Sequence, residues 1–165
     1  MKLILLLSVF AAFAAVGYRI YLGYRKRKQF FESLLAFCQN LTVEINFSKN
    51  TVRLIIDTYI DGYCPHFATV LRGYSQLIDA KTDITRPQID ALMWNGLKTP
   101  EKTAIADFFH ELGRHSVDEE CQKIETKRTQ FAAFYENASN ALKREASIYL
   151  KICILLGIAA VILLL

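Results

Sequence analysis

"FFHELGRHSVDEECQKIE", residues 108–125, packs His110, Glu111, His115, Glu119 and Cys121 into one short span. Such a set reads either as a metal or catalytic cluster or as a corner between two helices. His110-Glu111 matches the start of H-E-x-x-H, in which two histidines four residues apart share a helical face and both reach zinc. Here the second histidine, His115, is five residues on. At about 100° per residue it lies roughly 140° away around a helix. Gly113 also stands between them. The metal geometry is absent, whereas the corner accounts for each residue. Phe108, Phe109 and Leu112 close the apolar face of one helix, and Gly113 supplies a left-handed stop. Arg114 and His115 form the exposed corner. Ser116 caps the next helix, with Glu119 three residues on to complete a capping box. Asp118, Glu119 and Glu120 add negative charge where the helix dipole favours it.

The helix launched there carries a sustained stripe. Val117, Cys121, Ile124, Arg128, Phe131, Tyr135, Ala138, Leu142, Glu145 and Tyr149 follow alternating spacings of four and three, and eight of the ten are apolar or aromatic. That heptad-like pattern predicts core packing against another long helix, the rival being an intermolecular coiled coil. A second stripe, Phe31, Leu34, Cys38, Leu41 and Ile45, predicts a first long helix ending near Asn46. The two are expected to pair antiparallel. Between them the sequence predicts short helices. One follows a cap at Asn50 or Thr51 and closes at Gly62. Pro65 starts another, "PQIDALMWNGL" forms a third ending at Gly96, and Thr99 caps a fourth with Pro100 at its first position.

The ends are apolar. Leu3 to Tyr18 hold one polar side chain, Ser8, and Ile148 to Leu165 hold one charge, Lys151. Both approach the roughly 20 apolar residues a membrane helix needs. Lys2, the apolar run and Ala12–Ala14 also fit a cleaved signal, but the basic cluster just after them resists export, so an uncleaved anchor is expected. Arg19, Arg25, Lys26, Arg27 and Lys28 follow the first span, and Lys143, Arg144 and Lys151 flank the second. Because basic flanks stay on the cytoplasmic side, the expectation is a hairpin with both termini outside. The expected fold is all-α. Transmembrane helices at 1–24 and 148–165 flank a cytoplasmic bundle at 25–147 of about six helices, with long first and last helices.

The whole chain carries +4, yet residues 29–142 hold 11 basic and 15 acidic side chains, a net of −4. The basic excess sits at the membrane flanks, where it attracts anionic headgroups. Nucleic-acid binding, which needs a basic stripe on the folded domain, is not expected. The four cysteines form no C-x-x-C pair and read as reduced apolar fillers. The sequons at Asn40, Asn46 and Asn137 would not meet a glycosyltransferase on a cytoplasmic face. The chain has neither a phosphate-binding G-x-x-x-x-G-K-[ST] nor a G-x-S-x-G elbow. No enzyme activity and no cofactor are expected.

"FFHELGRHSVDEECQKI", with Leu112-Gly113-Arg114-His115 at its corner, resembles the stage III sporulation protein AB family. So does "LLAFCQNLTVEINFSKN" as a first helix, and the resemblance runs essentially full length. Two departures stand out: the family tends to have Asp at Ser116 and Gln near Glu120. The family is similar to inner-membrane platform proteins of type II secretion and type IV pilus systems. The resemblance implies a channel-like complex in the mother-cell membrane facing the forespore. Its partners would be a cytoplasmic secretion-type ATPase, stage III sporulation protein AA, and the other proteins of that complex. The corner would be the family's structural signature, and Arg114, His115 and Glu120 candidates for docking a partner. A generic membrane-anchored scaffold with another partner is the alternative.

Overall fold

The computed structural model describes residues 2–48, 50–80, 83–114 and 116–164, with side chains from 7 to 163 within them. All the regular structure among them is helical. The first helix, α1 (Lys2–Val43), runs on through a π-helical turn at Glu44–Ser48. Short helices follow: α2 (Val52–Tyr59), a 3-10 turn (Ile60–Gly62), α3 (Pro65–Asp79), α4 (Arg86–Leu92) and α5 (Thr99–Glu111). Then come α6 (Val117–Ala141), a second π-helical turn (Leu142–Ala146) and α7 (Ser147–Leu164). The first and last helical runs each contain an 18-residue window apolar enough to cross a membrane, with mean hydropathy 1.3 and 2.4. The chain divides into two units, residues 29–135 and the two termini together.

In the unit spanning residues 29–135, α1 is the central wedge. The expected stripe Phe31, Leu34, Cys38, Leu41 and Ile45 is buried throughout. Phe30 and Phe37, off that stripe, are buried as completely, because α1 presents a second face to the short helices. Phe37 meets Tyr63, Phe67 and Phe109 at ring separations of 6.1, 5.7 and 6.1 Å. On the first face Phe31 meets Phe134 of α6 at 5.8 Å. Further along, the Cys121 thiol donates to Asn46 Oδ1 at 3.3 Å. Rising numbers on α1 meet falling numbers on α6, so within this unit the pair is antiparallel. Burying each such ring stabilises by about 1.5–3 kcal/mol.

Polar ties fix the short helices on this wedge. Ser33 Oγ accepts the Cys64 N–H at 2.9 Å, just ahead of Pro65. Asn40 donates to the Tyr63 hydroxyl at 2.9 Å. The α2 cap is Thr51, whose hydroxyl accepts the Leu54 N–H at 3.4 Å. Two expectations need correction. Helix α4 ends at Leu92, not Gly96, because Met93 turns extended. Trp94 is thereby free to stack on Phe30 and His66, at 5.9 and 4.5 Å. Its indole lies where a Cβ on Gly96 would be, 2.3 Å away. The α5 cap is Lys98, not Thr99: its N–H donates to Glu101 Oε2 at 2.9 Å, and Thr99 is already helical.

In the terminal unit, α1 and α7 again run antiparallel. Gly17 faces Cys153 and Leu150, and Gly157 faces Phe10 and Phe13. Tyr24 donates to Glu145 Oε2 at 3.0 Å and lies 6.5 Å from the Tyr149 ring. The stripe expected on the last helix holds only between Ile124 and Ala138, because its first member, Val117, is exposed. Ile124, Phe131 and Ala138, seven apart, are buried. Beyond that, Glu145 and Tyr149 are exposed and Ala146 is buried instead. The π-helical turn inserts one extra residue, which moves the buried face one position along the sequence.

Candidate functional site

The corner between α5 and α6 forms as its residue types dictate. Helix α5 stops when Leu112 turns extended, with its N–H still donating to Phe108 O at 3.1 Å and its side chain buried. Gly113 then takes φ +81, a conformation that costs any residue with a Cβ about 1–2 kcal/mol. Ser116 precedes α6, and its carbonyl accepts the helix's first bond from the Glu120 N–H at 2.8 Å. Arg114, Ser116 and Glu119 are exposed. His115 lies outside the described residues.

The carboxylate that reaches back across the corner is Glu120, not Glu119. Its Oε1 accepts the Gly113 N–H at 2.9 Å, so the first turn of α6 is tied to the stop of α5. Glu120 is only 6% exposed, and its Oε2 is buried without a hydrogen-bond partner among the described residues. Its charge is felt by Tyr74. Burial, with Glu120 adding to it, pushes that phenol up to about 12, and Arg114 opposes the shift. Tyr74 is held in turn by donation to Phe109 O at 3.0 Å. The sequence treated Glu120 as one more acid in a first turn. Only its phase on α6, four residues ahead of buried Ile124, carried a signal of burial. Glu120 is therefore part of the corner's internal lock, and of the three expected docking residues Arg114 is the one both described and exposed.

A second polar hub escaped sequence reasoning. Glu44, in the first π-helical turn, accepts from the Tyr59 hydroxyl at 2.7 Å and from Asn50 Nδ2 at 2.8 Å. Those bonds, Tyr59 first, hold its carboxyl below the ordinary glutamate value. The hub lies close to the α1–α6 contact at Asn46 and Cys121.

The chemistry-bearing side chains are scattered. His110 lies in the last turn of α5, and His66 stacks on Trp94. Among the described residues no three His, Cys, Asp or Glu side chains gather as a metal site. Burial pushes the Cys38 thiol up to about 12, and it also raises Cys121, with Asp118 and Glu120 adding to the shift. A nucleophilic cysteine needs the opposite shift. Two shallow grooves of about 530 Å³ lie one along α6 at Glu119, Lys123 and Lys127, the other between α1 and the Tyr59–Pro65 segment. Set beside known proteins, residues 2–165 match the family model described as stage III sporulation protein AB. No curated protein and no solved structure matches the chain.

Proposed function

The chain belongs to the stage III sporulation protein AB family, and from that premise we propose that it is a non-enzymatic membrane platform of a secretion-like complex required for endospore formation. In this reading residues 1–24 and 148–165 span the mother-cell membrane facing the forespore, and residues 25–147 are cytoplasmic. The middle docks a secretion-type ATPase resembling stage III sporulation protein AA and couples it to the membrane assembly and its other components. The observation that carries the reading is the family match over the whole chain, joined to two apolar runs that bracket an acidic helical middle. The reaction assigned is mechanical. Docking energy comes from exposed side chains at the corner, Arg114 first, presented on a backbone that Gly113 and Glu120 keep in one conformation.

The test is binding of the purified ATPase to the full chain in lipid nanodiscs. The expected result is saturable binding that weakens on Arg114→Ala while the helical content holds. No binding by the wild-type chain would count against docking. Spin-label distances between the middle and the spans would test coupling separately: narrow distributions are expected, and broad ones would sink rigid transmission.

A further inference from the structure

The π-helical turn at Leu142–Ala146 gives α7 a choice of two faces. In the observed register Ala146 is fully buried, Leu150 and Cys153 pack at Gly17, and Gly157 packs at Phe10 and Phe13. An unbroken α-helix from Ala138 would instead carry Leu142, Glu145, Tyr149, Ile152 and Leu156 on that face, at alternating spacings of four and three. Glu145 is the one charged residue in that second set. It would take the fully buried place of Ala146. The π-helical turn prevents this by inserting one surplus residue. Glu145 stays exposed, and its Oε2 accepts from the Tyr24 hydroxyl at 3.0 Å. The charges around this bond are basic. Lys143 and Arg144 adjoin Glu145 in the chain and are exposed, and the charge of buried Arg27 reaches Tyr24.

Resolving the turn into α-helix shifts α7 by one residue, a rotation of about 100°. Opposing forces bear on that shift. Against it stand the burial of an unpaired carboxylate and the close approach at Gly17 and Gly157, which Tyr149, Ile152 and Leu156 are too large to reproduce. In its favour stands the regular hydrogen bonding of an unbroken α-helix. The path is short, because the Tyr149 ring already stacks on Tyr24 at 6.5 Å and 22°. Packed helix contacts have discrete arrangements rather than a continuum. The first π-helical turn shows what a locked one looks like: Glu44 is held there by both Tyr59 and Asn50. Glu145 has the Tyr24 bond in their place. We infer that Glu145, held by Tyr24, is the latch of a two-register element in α7. With the latch closed, Gly157 faces α1. With it open, the turn resolves and Leu156 takes that place. The latch lies wholly in the terminal unit and needs no docked ATPase.

Disulfide cross-linking reads the register. A Cβ at residue 157 would lie 3.3 Å from Phe13 Cβ, close to the roughly 3.5–4.5 Å that a disulfide spans. Phe13→Cys is therefore paired with Gly157→Cys in one full-length chain and with Leu156→Cys in another. Both are oxidised in phosphatidylcholine nanodiscs, and mass spectrometry of the linked peptides separates these bonds from any made by native cysteines. The link to 157 should dominate when the latch is intact. Glu145→Leu removes the charge that bars the second face, so the ratio of the 156 link to the 157 link should rise by about tenfold or more. Tyr24→Phe keeps the ring and removes the bond, so it should raise the ratio by about threefold or more. Deleting exposed Lys143 takes out the surplus residue and leaves Ala146, Cys153 and Gly157 in phase with Ala138 on a continuous α-helix. In that chain Glu145→Leu should leave the 157 link dominant. A ratio within twofold of the intact latch in either single variant overturns the latch. An equal rise in the Lys143-deleted chain would mean looser packing rather than a change of register, and also overturns it. So does a dominant 156 link when Tyr24 and Glu145 are both in place.

Discussion

Gly113 and Glu120 show how two residues make a corner. Gly113→Ala forces a Cβ into φ +81, although nothing crowds the site. The expected loss is about 1–2 kcal/mol from backbone strain alone. Glu120→Ala strands the Gly113 N–H and should cost about 1–3 kcal/mol. Glu120→Gln keeps a carbonyl acceptor for that N–H and should cost much less. Denaturant unfolding of the full chain in detergent, followed by helical circular dichroism, ranks the three. Equal losses for Ala and Gln would show that the charge, not the bond, matters. Glu44 gives a pH signature. Its folded pKa lies below its ordinary 4.5 because Tyr59, Ser48 and Asn50 bond the carboxylate. The stabilisation is therefore fully present above about pH 4.5 and is lost as pH falls through the lower folded value. The difference in Tm between wild type and Glu44→Gln should be constant from pH 6 to 8 and shrink in acid. A difference that grows in acid would reverse the sign and refute the clamp.

At the scale of elements, patterning made some features legible and hid others. The Gly113 stop and the α1 stripe were legible because apolar spacing and a glycine with no rival role point one way. The first turn of α6 was half legible: three acids in a row satisfy the dipole equally, and only the fold selects Glu120 to turn inward. The end of α4 was hidden because local propensity favours continuing the helix through Trp94. Stacking of its ring on Phe30 and His66 overrides that preference, and their partnership is invisible in sequence. The second π-helical turn was hidden because Leu142, Glu145 and Tyr149 continue the heptad on paper. In the terminal unit the shifted face brings small residues to the α1–α7 contact, which sets a graded prediction. A Cβ at Gly17 would lie 2.9 Å from Cys153 Cβ, so Gly17→Ala should destabilise by about 1–3 kcal/mol. At Gly157 the nearest atoms are Phe10 Cδ2 at 3.2 Å and Phe13 Cβ at 3.3 Å. The Phe10 ring can yield, so that loss should be smaller. Gly23 meets nothing within 4 Å, and Gly23→Ala should gain up to about 1 kcal/mol of helix propensity. Thermal melts in one detergent give the order, and a Gly17 variant as stable as Gly23→Ala would refute the close approach.

For the whole molecule the controlling quantity is the placement of basic charge around two apolar runs. Lys and Arg within short reach of a span set its orientation, whereas Asp and Glu contribute little. Arg19, Arg25, Lys26, Arg27, Lys28, Lys143, Arg144 and Lys151 all border the middle of the chain, and Lys2 alone precedes the first run. The acidic excess of residues 29–142 therefore does not oppose a cytoplasmic middle. Gly62 offers a probe site, being exposed with open space where a side chain would go. An impermeant maleimide should label Gly62→Cys, above the wild-type background from native cysteines, in inverted vesicles and not in intact protoplasts. Arg27 is 7% exposed and takes part in packing. Neutralising Arg25, Lys26 and Lys28 to Gln while leaving Arg27 thus tests orientation with the buried arginine kept in place. That variant should give mixed labelling, because three of the eight inner charges are gone while the apolar runs are intact. Labelling in protoplasts by the otherwise wild-type chain would place the middle outside the cell. A cytoplasmic ATPase would then have no access to it, and the docking role would fall with the topology.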